Sequence, residues 1–273
     1  MKKDFILQKK GLLSGVIFIL LLCCMIQNIN AIQQDPPYFE DTITLVHDST
    51  MRVYADSSGT YYDIIGDSAL AALIIASELG DFDVFIDDTW YESFDSLLVL
   101  KIGDKTNTGD DGWQFWNNYP FGDIPLVGAD AYLLEDGDTL DWFFGEYGIN
   151  PESSNMRITL YIEIVEDSNP PTLKKITPTS GGIYLLGSKI TTIPIPLAIV
   201  LGSVNLLAEY EDEYSMHRVS FYVDNELVQT VYTAPYTYNL KGLGTGSHRI
   251  KTIAYDSAQN TNTQEVEVLF VSN

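Results

Sequence analysis

Carboxylates and aromatic rings are the side chains of this 273-residue chain whose types and spacing could do chemistry. Asp104-Lys-Thr-Asn107-Thr-Gly109-Asp110-Asp111-Gly112 sets the oxygen-bearing side chains of Asp104, Asn107, Asp110 and Asp111 on a stretch that two glycines allow to bend. Hard cations such as calcium want several carboxylate or carbonyl oxygens on a curved backbone. The spacing departs from the twelve-residue calcium loop: Thr106 and Thr108 stand in ligand positions, and the twelfth residue from Asp104 is Phe115 rather than Glu. In so acidic a segment, carboxylates also cluster by chance, so a solvated surface loop is the alternative reading.

The second group is aromatic: Trp113, Phe115, Trp116, Tyr119, Tyr132 and Trp142, with Phe143 and Phe144 beside them. Strand alternation turns some of these rings outward, and exposed rings beside polar groups suit stacking on a sugar or a protein partner. The plainer alternative is that they fill a small core. No enzyme emerges. Pairs such as Asp87/Asp88 or Asp136/Asp138 could be written as general acid and base, but with acids this abundant the pairing carries no information. The acidic region holds one histidine, His47, and the chain has no Gly-x-Ser-x-Gly, phosphate-cradling glycine loop or His-x-x-x-His. No motif requires a cofactor.

The elements that must position these residues divide the chain in three. Residues 1–31 read as an export signal: four lysines up to Lys10, an apolar run from Gly11 to Ile26 broken only by Ser14, and Ala31 after a polar stretch. That run is 16 residues, short of the roughly 20 a membrane span needs, so cleavage is expected, with an uncleaved anchor as the alternative. The two cysteines, Cys23 and Cys24, lie inside it, so a cleaved chain holds no thiol chemistry. The expected location is extracellular or cell-surface.

Residues 32–166 carry 27 acidic side chains against four basic ones, which accounts for the formal net charge of −23; residues 167–273 are nearly balanced. A field of that sign repels nucleic acid and anionic lipid, leaving proteins, glycans and cations as partners, and contact with a membrane only through an uncleaved leader. The spacing predicts a strand at Ile43–His47, then a turn-rich stretch around Ser57-Ser58-Gly59. One helix follows, capped at Gly66-Asp67-Ser68, with Ala69, Leu70, Leu73, Ile74 and Leu79 on its apolar face and Gly80 as its left-handed stop. Extended segments are predicted at Asp83–Trp90, Ser96–Ile102, Trp113–Asn117, Asp130–Leu134, Thr139–Phe144 and Met156–Val165. Asp136-Gly137 is read as the turn of a hairpin between the segments holding Tyr132 and Leu134 and those holding Leu140 and Trp142. The fold class is mostly β: an α+β module over 38–166 with one main helix, then a β-sandwich over 170–273.

Gly66-Asp67-Ser68-Ala69-Leu70-Ala71-Ala72-Leu73, Gly112-Trp113-Gln114-Phe115-Trp116-Asn117-Asn118 and Val127–Trp142 resemble, in order and spacing, the carboxy-terminal domain of transcobalamin and intrinsic factor. The resemblance implies a β-grasp-like fold and, as in the vertebrate members, a face that helps enclose a corrinoid. Where that family's strand ends in Val-Asn-Gly this chain has Asn117-Asn118-Tyr119 and a Pro120–Pro125 insertion, which alters the ligand loop.

After the Asp167-Ser168-Asn169-Pro170-Pro171 boundary the chain reads as strands only, with Asp224-Asn225-Glu226 turning a central hairpin. Val219-Ser-Phe221-Tyr222-Val223-Asp224, Ala234-Pro235-Tyr236, Gly246-Ser247-His248 and Ala254-Tyr255-Asp256 resemble bacterial and archaeal immunoglobulin-like surface repeats. That implies a spacer or adhesive role. The apolar stretch Ile190–Leu201 is expected to be buried. The whole predicts an exported interaction or adhesion protein without catalysis; the alternative is extracellular capture of a corrinoid-type ligand together with a partner chain.

Overall fold

The computed structural model describes residues 38–122 and 125–272; the leader and its cysteines lie outside them. In chain order the elements of the first module are β1 (Phe39–Val46), β2 (Thr50–Ala55), β3 (Thr60–Ile65), α1 (Ala69–Gly80), β4 (Val84–Asp87), α2 (Tyr91–Phe94), β5 (Leu98–Ile102), β6 (Lys105–Thr106), β7 (Asp111–Asn117), β8 (Thr139–Glu146) and β9 (Arg157–Val165). The second module is all strand: β10 (Thr172–Thr177), β11 (Gly182–Thr192), β12 (Ala198–Glu211), β13 (Met216–Val223), β14 (Glu226–Val231), β15 (Thr237–Lys241), β16 (Gly246–Asp256) and β17 (Thr261–Val271).

The first module is built on a mixed sheet in the order β1-β9-β8-β7, with β1 and β9 parallel. Helix α1 packs against β1 and β9, and its small residues Ala69, Ala71, Ala72 and Ala76 are buried together with Leu70 and Leu73. That burial comes from tight docking rather than a narrow stripe. The helix starts where expected: Ser68 Oγ accepts from Ala71 N. Its end differs from the sequence reading. Asp81, at φ +52°, takes the left-handed position, while Gly80 is the last helical residue, where the absence of a side chain makes room for the Phe39 and Phe82 rings, 2.7 Å from where a Cβ would lie. Leu79, expected on the apolar face, sits 60% exposed near the end of the helix.

Two further corrections concern strands. The turn expected at Ser57–Gly59 forms, with Gly59 at φ +78°, but the strands it joins, β2 and β3, pair as an antiparallel hairpin that the sequence reading does not include. Asp130–Leu134 is not a strand, and no hairpin forms across Asp136-Gly137, although Gly137 does adopt the positive φ that a tight turn needs. The 129–134 segment turns instead to the start of α1. Ala129 O accepts from Leu70 N and Tyr132 O from Ala69 N, while Leu134 N donates to Asp67 O. The first amides of a helix have no partners within it, and this segment supplies them.

In the second module β12 changes partners along its length. Its first part (Ala198–Leu201) runs parallel to β17, and its later part pairs with β15 and β10. Gly202, at φ +83°, lies at the change. The strand thereby joins both layers of a sandwich whose core includes Tyr184, Phe221, Leu240 and Phe270. Asp224 and Asn225 both have positive φ in the β13–β14 turn, which matches the right-handed strand twist. Of the Ile190–Leu201 stretch only Ala198 and Val200 are buried and Ile190 is exposed, because β11 lies at an edge with β12 as its sheet partner. No helix among the described residues is long and apolar enough to cross a membrane.

Candidate functional site: an aromatic cleft

The first module holds a cleft of about 500 Å³ lined by Trp113, Phe115 and Trp142 at the sheet, and by Trp90, Phe94, Leu97, Leu98, Val99 and Ala129. Its construction begins at the sheet. Trp113 and Phe115 alternate along β7 and stand opposite Phe144 and Trp142 of β8, so all four rings share one face. Phe115 lies 5.1 Å from Trp142 and 5.4 Å from Tyr132, in tilted and edge-on contacts. Trp113 packs on Phe144 and is fixed by its indole N–H, which donates to Lys105 O at 2.9 Å. The indole N–H of Trp142 is buried with no acceptor.

The opposite wall depends on a buried carboxylate. Asp130 accepts from Ser96 Oγ at 2.8 Å and from Leu97 N at 3.1 Å, tying the start of β5 to the segment that caps α1. Gly128 permits the approach, since a Cβ there would fall 1.7 Å from Ser96 Oγ. The rim is α2, where Trp90 and Phe94 are 59% and 73% exposed. One helical turn separates them, so both rings project from one side, 6.3 Å apart. Glu92 and Asp95 stand exposed on the same element.

Of the six aromatic residues singled out from sequence, Trp113, Phe115 and Trp142 line the cleft. Tyr132 braces Phe115, while Trp116 and Tyr119 form a separate edge-on pair at 5.1 Å, with the Trp116 indole donating to Gly122 O. Trp90 and Phe94 were missed because Asp83–Trp90 reads as extended. The spacing of four after the turn-forming Asp87-Asp88-Thr89 was the available signal.

The carboxylates of the 104–112 loop do not converge. Asn107 is spent on structure: its Oδ1 accepts from Trp113 N and its Nδ2 donates to Val99 O. Asp104 and Asp110 are exposed, Asp111 half-buried, and none belongs to a carboxylate or histidine cluster among the described residues. Two clusters exist elsewhere: His47, Asp48 and Asp67, and Asp167, Asp212 and Asp256. In the first, His47 Nδ1 lies 3.1 Å from Asp67 Oδ2, and that hydrogen bond raises the histidine's pKa above its usual value.

Comparison with known proteins bears on the second module. Residues 171–251 match the bacterial Ig domain family. The strand order and the two-layer core described above agree with that match. Among solved structures, the fibronectin(III)-like modules of Clostridium thermocellum CbhA are similar at 24% identity, over 36% of this chain and 96% of that one, with a TM-score of 0.28. The Ig1-2 module of Drosophila receptor protein tyrosine phosphatase DLAR is similar at 7% identity, over 59% and 84%, with a TM-score of 0.25. Murine CEACAM1b is similar at 8% identity, over 64% and 92%, with a TM-score of 0.27. No curated protein sequence matches the chain. Ig-like domains of this kind are commonly extracellular or cell-surface.

Proposed function

We propose that this chain is a non-enzymatic binding protein of the cell surface, whose acidic module captures an apolar group in the aromatic cleft while the Ig-like module serves as its spacer. The observation that carries this reading is the concave site itself: three packed rings at its sheet face and two exposed rings, Trp90 and Phe94, at its rim. Apolar concavities of roughly 300–1,000 Å³ suit drug-sized ligands or a few partner side chains. The acidic residues Glu92 and Asp95 at the rim favour a neutral or cationic occupant, which the exposed ring faces also attract. An anionic ligand would meet repulsion.

The resemblance to the transcobalamin-type domain supports a narrower version, in which the occupant is the edge of a corrinoid and a partner chain completes the enclosure. The concave shape of the aromatic face favours capture over a flat protein contact.

Titration of Nile red, a neutral apolar probe, into the full-length chain tests the proposal. Saturable fluorescence is expected, with affinity lowered about tenfold or more by combined Trp90→Ala and Phe94→Ala, given ~1.5–3 kcal/mol for each fully buried large apolar side chain. Binding that survives both substitutions unchanged would place the probe elsewhere and sink the reading. Displacement by cyanocobalamin would select the corrinoid version; lack of displacement would leave the occupant a smaller apolar group.

A further inference from the structure

We infer that Asp167, Asp212 and Asp256 form a calcium site that clamps the linker between the two modules onto the Ig-like module. One oxygen from each residue lies within 4.8 Å of one from each of the others. The three come from separate parts of the chain: Asp167 from the linker after β9, Asp212 from the β12–β13 turn, and Asp256 from the end of β16. Each carboxylate is oriented by a backbone amide. Asp167 Oδ1 accepts from Asn169 N at 3.0 Å, Asp212 Oδ1 from Tyr214 N at 3.1 Å, and Asp256 Oδ1 from Asn260 N at 2.8 Å.

What separates this cluster from the many acids elsewhere is Asp256. Its side chain is 0% exposed, yet its Oδ2 has no hydrogen-bond partner, and Asp167 Oδ2 is likewise buried and unpartnered. A buried anionic oxygen without a partner is costly, and three converging carboxylates repel one another as well. None of the three joins an ion pair among the described residues. The neighbouring Ser257 Oγ is also buried without a partner. A divalent cation held among the three carboxylates offsets their repulsion and takes up the unpartnered oxygens of Asp256 and Asp167. The donors are all oxygens, with no thiolate or imidazole among them, which selects calcium over zinc or copper.

The consequence is mechanical. Asn260 Nδ2 donates to Asp167 O and Asn262 Nδ2 to Pro171 O, so the linker already lies along the β16–β17 turn. On the other side, Thr50 N of the acidic module donates to Ser257 O, and Ser257 N donates to Ser215 O. A cation bridging Asp167, Asp212 and Asp256 therefore fixes the two loops on which the first module rests. Bound calcium stiffens the junction, and its removal frees it.

The experiment is calorimetric titration of calcium chloride into the full-length chain, with thermal unfolding followed in parallel. A saturable site in the range of extracellular modules, ~10⁻⁴–10⁻³ M, is expected. It should raise Tm by a few degrees, ~2–6 °C, at saturating calcium. Asp256→Asn and Asp212→Asn should each abolish both effects. Asparagine keeps the Oδ1 acceptor and removes the repulsion, so these variants should fold at least as well as the parent without calcium. Asp110→Asn, in the acidic module, should leave the site intact. Absence of a saturable component, or a component that persists in the Asp212/Asp256 double variant, overturns the inference.

Discussion

Both ring nitrogens of His248 face acceptors, Nδ1 the Asp224 carboxylate at 2.7 Å and Nε2 the Gly244 carbonyl at 2.9 Å. Two acceptors favour the doubly protonated ring, so the hydrogen bond to Asp224 raises the His248 pKa and in turn lowers that of Asp224. A raised histidine adds stability that is fully present below about pH 6.5 and is lost as pH climbs through its folded value; a lowered aspartate adds stability above about pH 4 and loses it on acidification. The pair therefore contributes most between those limits. Urea midpoints of the parent and His248→Gln should differ more at pH 5.5 than at pH 9. His217 has the opposite sign: burial lowers its pKa, so acidification below about pH 6.5 works against the fold, and His217→Gln should flatten that loss. Asp130 is the other residue whose effect is local and large. Asp130→Ala leaves the buried Leu97 N–H without its acceptor and loosens the cleft wall. A loss of ~1–3 kcal/mol in urea unfolding is expected, together with weaker Nile red binding.

At the scale of elements, the end of α1 divides between two residues the work that the sequence reading gave to one. Gly80→Ala would gain helix propensity, yet its methyl must displace the Phe39 and Phe82 rings, so a net loss of ~1–3 kcal/mol is expected. Asp81→Gly acts where the backbone is left-handed and should stabilise by ~0.5–1 kcal/mol. Thermal unfolding of Asp81→Gly separates these roles, because it would not stabilise if Gly80 were the left-handed stop, whereas Gly80→Ala destabilises in either case. The start of the same helix explains why the 127–142 segment misleads as a hairpin. Alternation of Tyr132 and Leu134 looks like a strand, but unpaired amides at a helix start compete for the same carbonyls, and the helix takes them.

For the whole molecule, the modules meet where Arg52 stacks on Tyr232, with its guanidinium 3.6 Å from the ring centre, while also pairing with Asp63 at 2.8 Å. Arg52 is one of four basic residues in a region of 27 acidic ones, so it lacks substitutes. Arg52→Ala should speed proteolysis in the Asp167–Pro171 linker without shifting the cleft's affinity for Nile red. The charge itself predicts a salt response. Self-repulsion within the first module falls as ions screen it, so Tm should rise between 10 mM and 0.5 M sodium chloride. Fluorescence from the tryptophans, all of which lie in that module, reports this separately from the Ig-like sandwich.

The sequence by itself determined the strand-rich class, the break between strands at the Asp167–Pro171 prolines, the Ser68 cap, and the extended segments that carry Trp113, Phe115 and Trp142. These follow from short-range rules: two-residue alternation, proline's restriction of its neighbour, and a hydroxyl's reach to an amide three residues on. Only the tertiary structure decided that Trp90 and Phe94 complete the cleft, that Asp104–Asp111 does not converge, and that Asp167, Asp212 and Asp256 do. Those three acids stand 45 and 44 residues apart along the chain and are indistinguishable in sequence from the other 35 acidic residues. Convergence is a property of where turns end in space, and burial of an oxygen depends on what packs over it. Neither is encoded in local spacing.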